Sequence, residues 1–178
     1  MASIIKVNTI QDATNSNKAM TIDSSGRPAF PNRVAFEAWY TGGNIAYNSG
    51  SNAVLTYNNV VQQGGTNYST STGKFTVPIT GFYCICLKNN IYYVDAGNGV
   101  YHGVIQNGTG FSTDEASIEG WLVPNDTGDQ TLTSTFIRKY TAGDTLQPYL
   151  RTEESGEGTG RTNSTAKNYT AFSGFLIG

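Results

Sequence analysis

His102 is the only histidine in the chain, so any serine or cysteine nucleophile activated by an imidazole would have to use it. It lies in Tyr101-His102-Gly103-Val104, a run that reads as a strand with no nucleophile motif around it, so a structural role is expected. Asp114, Glu115, Glu119, Asp126 and Asp129 form an acidic stretch, and Glu153, Glu154 and Glu157 form a second cluster. Paired carboxylates could serve glycoside hydrolysis or hold calcium through oxygen ligands. No spacing here is diagnostic of either, and solvated loops are the simpler reading. Cys84 and Cys86 are two apart in a strand-like run and share a face, so a bond between them would distort the strand. Two thiols and one histidine do not complete a zinc site. Gly156-Glu157-Gly158-Thr159-Gly160 lacks the Lys-Ser/Thr that a phosphate loop needs. No catalytic residue, cofactor or metal is expected.

The elements that carry these residues read as strands throughout. In Gly73 to Ile85, Phe75 and Val77 alternate before Pro78, and Tyr83, Ile85 and Leu87 alternate after Gly81. Alternation means one buried face, and Pro78 with Gly81 turns the chain between two strands. Further strands are expected at 34–40, 53–61, 82–94 (with a bend near Asn89-Asn90), 99–106, 131–140, 145–151 and 168–177. The run 118–123 reads as a strand or a covering loop. No segment has a helical period, and strands at this spacing imply a sandwich or barrel. Phe75, Tyr83, Ile85, Phe172 and Phe175 are the expected core. Phe82, Cys84 and Cys86 alternate with Tyr83, Ile85 and Leu87, so they either face a neighbouring subunit or are buried within one subunit.

With 178 residues, the chain is long enough for one domain and a short appendage. Charged residues make up 13 % and the net charge is -2, which argues against a phosphate-neutralising surface and hence a nucleic-acid partner. No apolar run is long enough to insert in a membrane. Residues 1–32 hold few apolar groups (Ile4, Ile5, Val7, Ile10, Met20, Ile22, Phe30), with a turn at Asp23-Ser24-Ser25-Gly26. Such a segment cannot fold alone, so it is expected to be disordered or packed against copies or a partner. Residues 152–167 read as one hydrophilic loop joining the last two strands, a candidate receptor contact through Glu153, Glu154, Glu157, Arg161 and Asn163.

In order along the chain, Val34-Ala35-Phe36-Glu37-Ala38, Tyr57, Val60, Gly64 and Tyr68, then Gly73, Phe75, Pro78, Gly81 and Tyr83, then Asn107-Gly108, Gly143-Asp144 and Phe172-Ser173-Gly174-Phe175-Leu176 form a pattern. That pattern resembles the globular head of the complement recognition subcomponent, within the tumour-necrosis-factor-like jelly-roll superfamily. The resemblance implies an all-β fold: a ten-stranded antiparallel jelly-roll sandwich over 33–178, trimeric, with 1–32 as an extended N-terminal arm. Phe82, Cys84 and Cys86 become its trimer-interface candidates. Against the family pattern, neither a collagen-like stalk nor a secretory signal is expected here, and Ile177-Gly178 stands where an aromatic is common. Ser3-Ile4-Ile5-Lys6-Val7-Asn8-Thr9-Ile10 and Met20-Thr21-Ile22-Asp23-Ser24-Ser25-Gly26 instead resemble the attachment ends of short fibres in tailed bacteriophages. This implies a virion location, with Ile4, Ile5, Val7, Ile10, Met20 and Ile22 contacting other phage structural proteins. The head would then bind a host-surface glycan or protein, or decorate the particle. The alternative is a free soluble recognition protein, lectin-like, of the same fold.

Overall fold

The computed structural model describes residues 7–14, 17–42, 45–48, 52–94, 96–108, 116–123, 125, 128–152, 159–162 and 170–177, with backbone alone at 45–48, 52, 92–94 and 159–162. In the arm, β1 (Thr9–Gln11), β2 (Lys18–Ile22) and β3 (Pro28–Ala29) form a three-stranded antiparallel sheet in that order. The arm thus holds more regular structure than its sparse apolar content implies. Its second turn supplies one reason. The Asp23 carboxylate accepts from the backbone N–H of Ser25 at 2.8 Å and of Arg27 at 3.0 Å, and pairs with the Arg27 guanidinium at 2.8 Å. Gly26 takes the left-handed φ of +78° that closes the turn.

The other thirteen strands found among the described residues build two facing sheets. They are β4 (Ala35–Trp39), β5 (Ile45–Asn48), β6 (Asn52–Val54), β7 (Asn59–Gln63), β8 (Tyr68–Ser69), β9 (Lys74–Thr76), β10 (Gly81–Val94), β11 (Val100–Gln106), β12 (Ala116–Leu122), β13 (Gly128–Tyr140), β14 (Thr145–Thr152), β15 (Thr159–Thr162) and β16 (Thr170–Leu176). One sheet runs β5-β15-β10-β16-β4-β7, with β13 on the free edge of β10; the other runs β12-β11-β14-β9-β8, with β6 also on β14. Every pairing is antiparallel. β16 and β15 pair with successive stretches of one edge of β10, as β9 and β6 do with β14. Collinear segments therefore share a lane. This all-β arrangement is jelly-roll-like, with more strands among the described residues than the ten expected.

The core lies between the sheets and is aromatic. Phe36 stacks on Phe75 at 4.1 Å and meets Phe172 edge-on at 4.9 Å, while Tyr83 meets Phe75 edge-on at 6.1 Å. Tyr83, Ile85 and Leu87 are fully buried, so β10 has the phase that the alternation implies. Each such side chain contributes about 1.5–3 kcal/mol of burial. The corner at Pro78 is pinned from outside: Val77 N–H donates to Asp144 O and Gly143 N–H to Val77 O, each at 2.8 Å.

Four sequence expectations need correction. Phe175 is not core; it is 40 % exposed on the outer face. Phe172 and Phe175 are three apart, so a strand cannot bury both. Gly174 fills the inward position instead, where a Cβ would sit 2.7 Å from Ile85 Cδ1. Residues 152–167 are not one loop, because Thr159–Thr162 forms β15 between β10 and β5. Backbone pairing places β15, and its four residues carry no apolar signal. The expected strand 53–61 is two, β6 and β7, which pair in different sheets. The irregularity of β10 falls between Ile91 and Val94, just beyond the Asn89-Asn90 bend that was expected.

Candidate functional site: the outer faces of the sandwich

The outer face of the seven-stranded sheet is built by the residues that alternate with the core. Register aligns Ile137, Cys84, Phe175 and Ala35 in one row across β13, β10, β16 and β4. The next row is Thr135, Cys86, Ser173, Glu37 and Val61. Ile137 is 64 % exposed and Phe82 50 %, while Cys84 and Cys86 are half-buried free thiols. A groove of about 310 Å³ crosses this face between Ala35, Val61, Cys86 and Phe175. Phe82, Cys84 and Cys86 therefore do point outward, and the structure adds Phe175, Ile137 and Ala35 to their surface. Partial burial, then the neighbouring Cys86, pushes the Cys84 thiol upward, away from the reactive thiolate.

His102 faces inward from β11. Asn89 Nδ2 lies 2.9 Å from its Nδ1, and Ser134 Oγ lies 2.7 Å from its Nε2. The trio has the outline of a serine–imidazole–amide relay, but its imidazole is fully buried. Tyr57 O–H donates to Asn89 Oδ1 at 3.5 Å, which leaves the Asn89 amide N–H to donate to Nδ1. With the Asn89 amide in this orientation, the imidazole proton sits on Nε2 and points at Ser134. Backbone also closes the site: a Cβ at Gly120 would lie 2.5 Å from Ser134 Oγ and 2.6 Å from His102 Nε2. Burial holds the His102 pKa down to about 4, so the ring is neutral at pH 7. The arrangement is a satisfied polar clip between the sheets.

The outer face of the six-stranded sheet differs. Trp121, Tyr101 and Arg151 stand directly opposite one another across β12, β11 and β14. The Trp121 and Tyr101 rings stack with centroids 6.0 Å apart and planes 13° apart, and the Arg151 guanidinium lies 6.0 Å from the Tyr101 centroid. Trp121 is 61 % exposed. An irregularity between His102 and Gly103 resets the pairing with β12, which brings Trp121 opposite Tyr101. Sequence reasoning missed this row, because its members are 20 and 30 residues apart.

Of the arm residues, Val7 and Ile10 are exposed and Met20 and Ile22 half-buried, with Ile10 opposite Met20 in the small sheet. Ile4 and Ile5 lie outside the described residues, as do Glu153, Glu154, Glu157 and Asn163; Arg161 is placed as a backbone position in β15. The acidic stretch is not assembled in its described part. Glu119 pairs with Arg138 at 2.8 Å, and Asp129 is exposed on β13. Among the described residues no group of three or more His, Cys, Asp or Glu is placed to hold a metal.

This architecture has counterparts among solved structures. An Eiger tumour necrosis factor from S. frugiperda is similar at a TM-score of 0.57 and 12 % identity, over 83 % of this chain and 94 % of that one. Murine APRIL is similar at 0.58 and 11 %, over 82 % and 99 %. The globular domain of zebrafish complement 1qA is similar at 0.55 and 15 %, over 82 % and 98 %. No curated protein matches the sequence. The family model of the C1q domain matches residues 35–177, which span both sheets from β4 through β16. With that match over most of its length, the chain belongs to the C1q-domain family.

Proposed function

We propose that this C1q domain is a non-enzymatic recognition head that assembles as a homotrimer through the outer face of its seven-stranded sheet. The observation that carries this is the apolar row Ile137–Cys84–Phe175–Ala35, flanked by Phe82 and Val61. Solvent does not favour so continuous an apolar band on an isolated domain, and a closed cyclic assembly covers it without leaving an open edge. Trimers are also the habit of the C1q and tumour-necrosis-factor families. The enclosed Asn89–His102–Ser134 trio, with its imidazole fully buried, supports a non-catalytic role. Sedimentation of the full chain at submicromolar concentration tests the assembly: a trimer is expected, and a stable folded monomer refutes it.

The likeness of residues 3–10 and 20–26 to phage-fibre attachment ends supports a place on a tailed-phage virion, with Val7, Ile10, Met20 and Ile22 docking on a particle protein. The head would then be displayed for host-surface binding or decoration. Deleting residues 1–32 is expected to leave the head trimeric and to abolish incorporation into particles. Incorporation that survives the deletion contradicts the anchor and favours a free recognition protein.

A further inference from the structure

We propose that Asn98 is a site of spontaneous deamidation, while the identical Asn-Gly step at Asn107 is guarded by Asp144. The chain holds two Asn-Gly steps, Asn98-Gly99 and Asn107-Gly108. Glycine after asparagine leaves the following backbone nitrogen unhindered, because no Cβ stands beside it. That nitrogen gives its proton to water and bonds to the asparagine Cγ. The Cγ–Nδ2 bond then breaks and ammonia leaves. Water opens the resulting succinimide at either carbonyl, which yields aspartate or isoaspartate. One water is consumed and one ammonia released in all, with no oxidant or cofactor.

The two steps differ in what holds them. Asn107 Nδ2 donates to Asp144 Oδ1 at 2.8 Å, and Asn107 Oδ1 accepts from the Thr145 N–H at 2.8 Å. The Asn107 N–H donates to Thr145 O at 2.9 Å, and Lys74 Nζ donates to Gly108 O at 2.8 Å. Asp144 is fixed in turn by the Gln106 amide and the Thr141 N–H. The Asn107 carboxamide therefore reaches the Gly108 nitrogen only when both of its own bonds break. Asn98 lies between Gly97 and Gly99 in the connection from β10 to β11, and β11 begins only at Val100. It is half-buried, with exposed Ala96 and Gly97 before it. Gly97 has a φ of +86°, and a Cβ there would meet nothing within 4 Å, so this turn faces open space. Among the described residues the Asn98 carboxamide has no bond like those of Asn107. Conversion sets a carboxylate two residues before fully buried Val100, which pairs with Leu122 and Thr152. Isoaspartate also lengthens the backbone at the entry to β11.

The test is incubation of the folded full chain in mildly alkaline buffer, followed by peptide mapping with mass spectrometry and by isoaspartate labelling with a methyltransferase. Asn98 is expected to convert with first-order kinetics. Asn107 should convert at least roughly tenfold more slowly, because two hydrogen bonds must open first. In denaturant the two should convert at similar rates. In heavy-oxygen water the product at residue 98 should gain one heavy oxygen, and Asn98→Gln should stay unconverted over the same period. Asp144→Ala should raise the Asn107 rate toward that of Asn98 and leave the Asn98 rate unchanged. An Asn98 that stays intact in the folded chain while the denatured chain converts overturns the proposal. So does equal conversion of both asparagines in the folded chain, or an unchanged Asn107 rate in folded Asp144→Ala. Should that variant not fold, the comparison of folded and denatured parent chains decides alone.

Discussion

The two outer faces of the sandwich share one core and differ in every property that decides what they can meet. The seven-stranded face carries one continuous apolar row, Ile137–Cys84–Phe175–Ala35, with exposed Phe82 and Val61 beside it. Among the described residues the six-stranded face is closed at Ile105 and Tyr149 and open along β12, where Ile118 is exposed and exposed Trp121 stacks on Tyr101 beside Arg151. A broad apolar band gains by excluding water over a large area, which suits a second copy of the chain. The exposed β12 groups lie on the other sheet and are assigned no part in that assembly. Strand parity produces this division, because each inward residue of the shared core dictates an outward neighbour.

The largest effect expected is on the shared core. Tyr83→Ala removes a fully buried ring whose hydroxyl donates to Ile79 O at 2.7 Å, and it should cost roughly 3–5 kcal/mol. Thermal melting should drop sharply, and both faces should fail together; separate loss of one face would mean that they do not share one cooperative unit. Next is a charge in the apolar row. Cys84→Lys should break the assembly at micromolar concentration, since an unpaired buried charge costs about 3–5 kcal/mol. Trp121→Lys, its counterpart on the other face, should sediment like the parent. If both dissociate, or neither does, the two faces are not distinct in function.

The buried clip between the faces gives a pH signature. The folded pKa of His102 is about 4, below the ordinary value of 6.5 in an unfolded chain. The unfolded state therefore binds the proton first as pH falls. The His102 contribution to stability should be constant above pH 6.5, decline by roughly 3 kcal/mol as pH falls toward 4, and level below that, where Asp23 and Asp144, whose carboxylates are held down by hydrogen bonds, begin to add their own loss. Denaturant midpoints across this range should lose most of the slope in His102→Gln; an equal slope in that variant would remove His102 as its source. The smallest stability effect is expected for Trp121→Ala, within about 0.5 kcal/mol, because its ring is mostly exposed.

Local pattern made β10 legible. Tyr83, Ile85 and Leu87 go inward and Phe82, Cys84 and Cys86 outward, because a strand alternates whatever its partners are. The same rule, applied to Phe172 and Phe175, would have placed Phe175 outside. Non-local pairing was not legible. β15 is defined by what it pairs with, and the Trp121–Tyr101–Arg151 row depends on a register reset at His102 and Gly103. The Asn89–His102–Ser134 clip joins strands from two sheets, and no spacing along the chain marks it. The family pattern carried the fold because it samples strands in order, and it carries no information about which outer groups bind a ligand.

The chain's only two cysteines both lie on the face assigned to assembly, which makes thiol labelling under native conditions the most direct measurement. With a chromogenic disulfide reagent at neutral pH, Cys84 and Cys86 should stay protected in the intact assembly and react only as fast as subunits separate. Dilution and Cys84-adjacent variants such as Phe175→Glu should speed both processes equally. Two thiols per chain that react at once, while sedimentation shows the assembly intact, would contradict burial of the seven-stranded face between subunits.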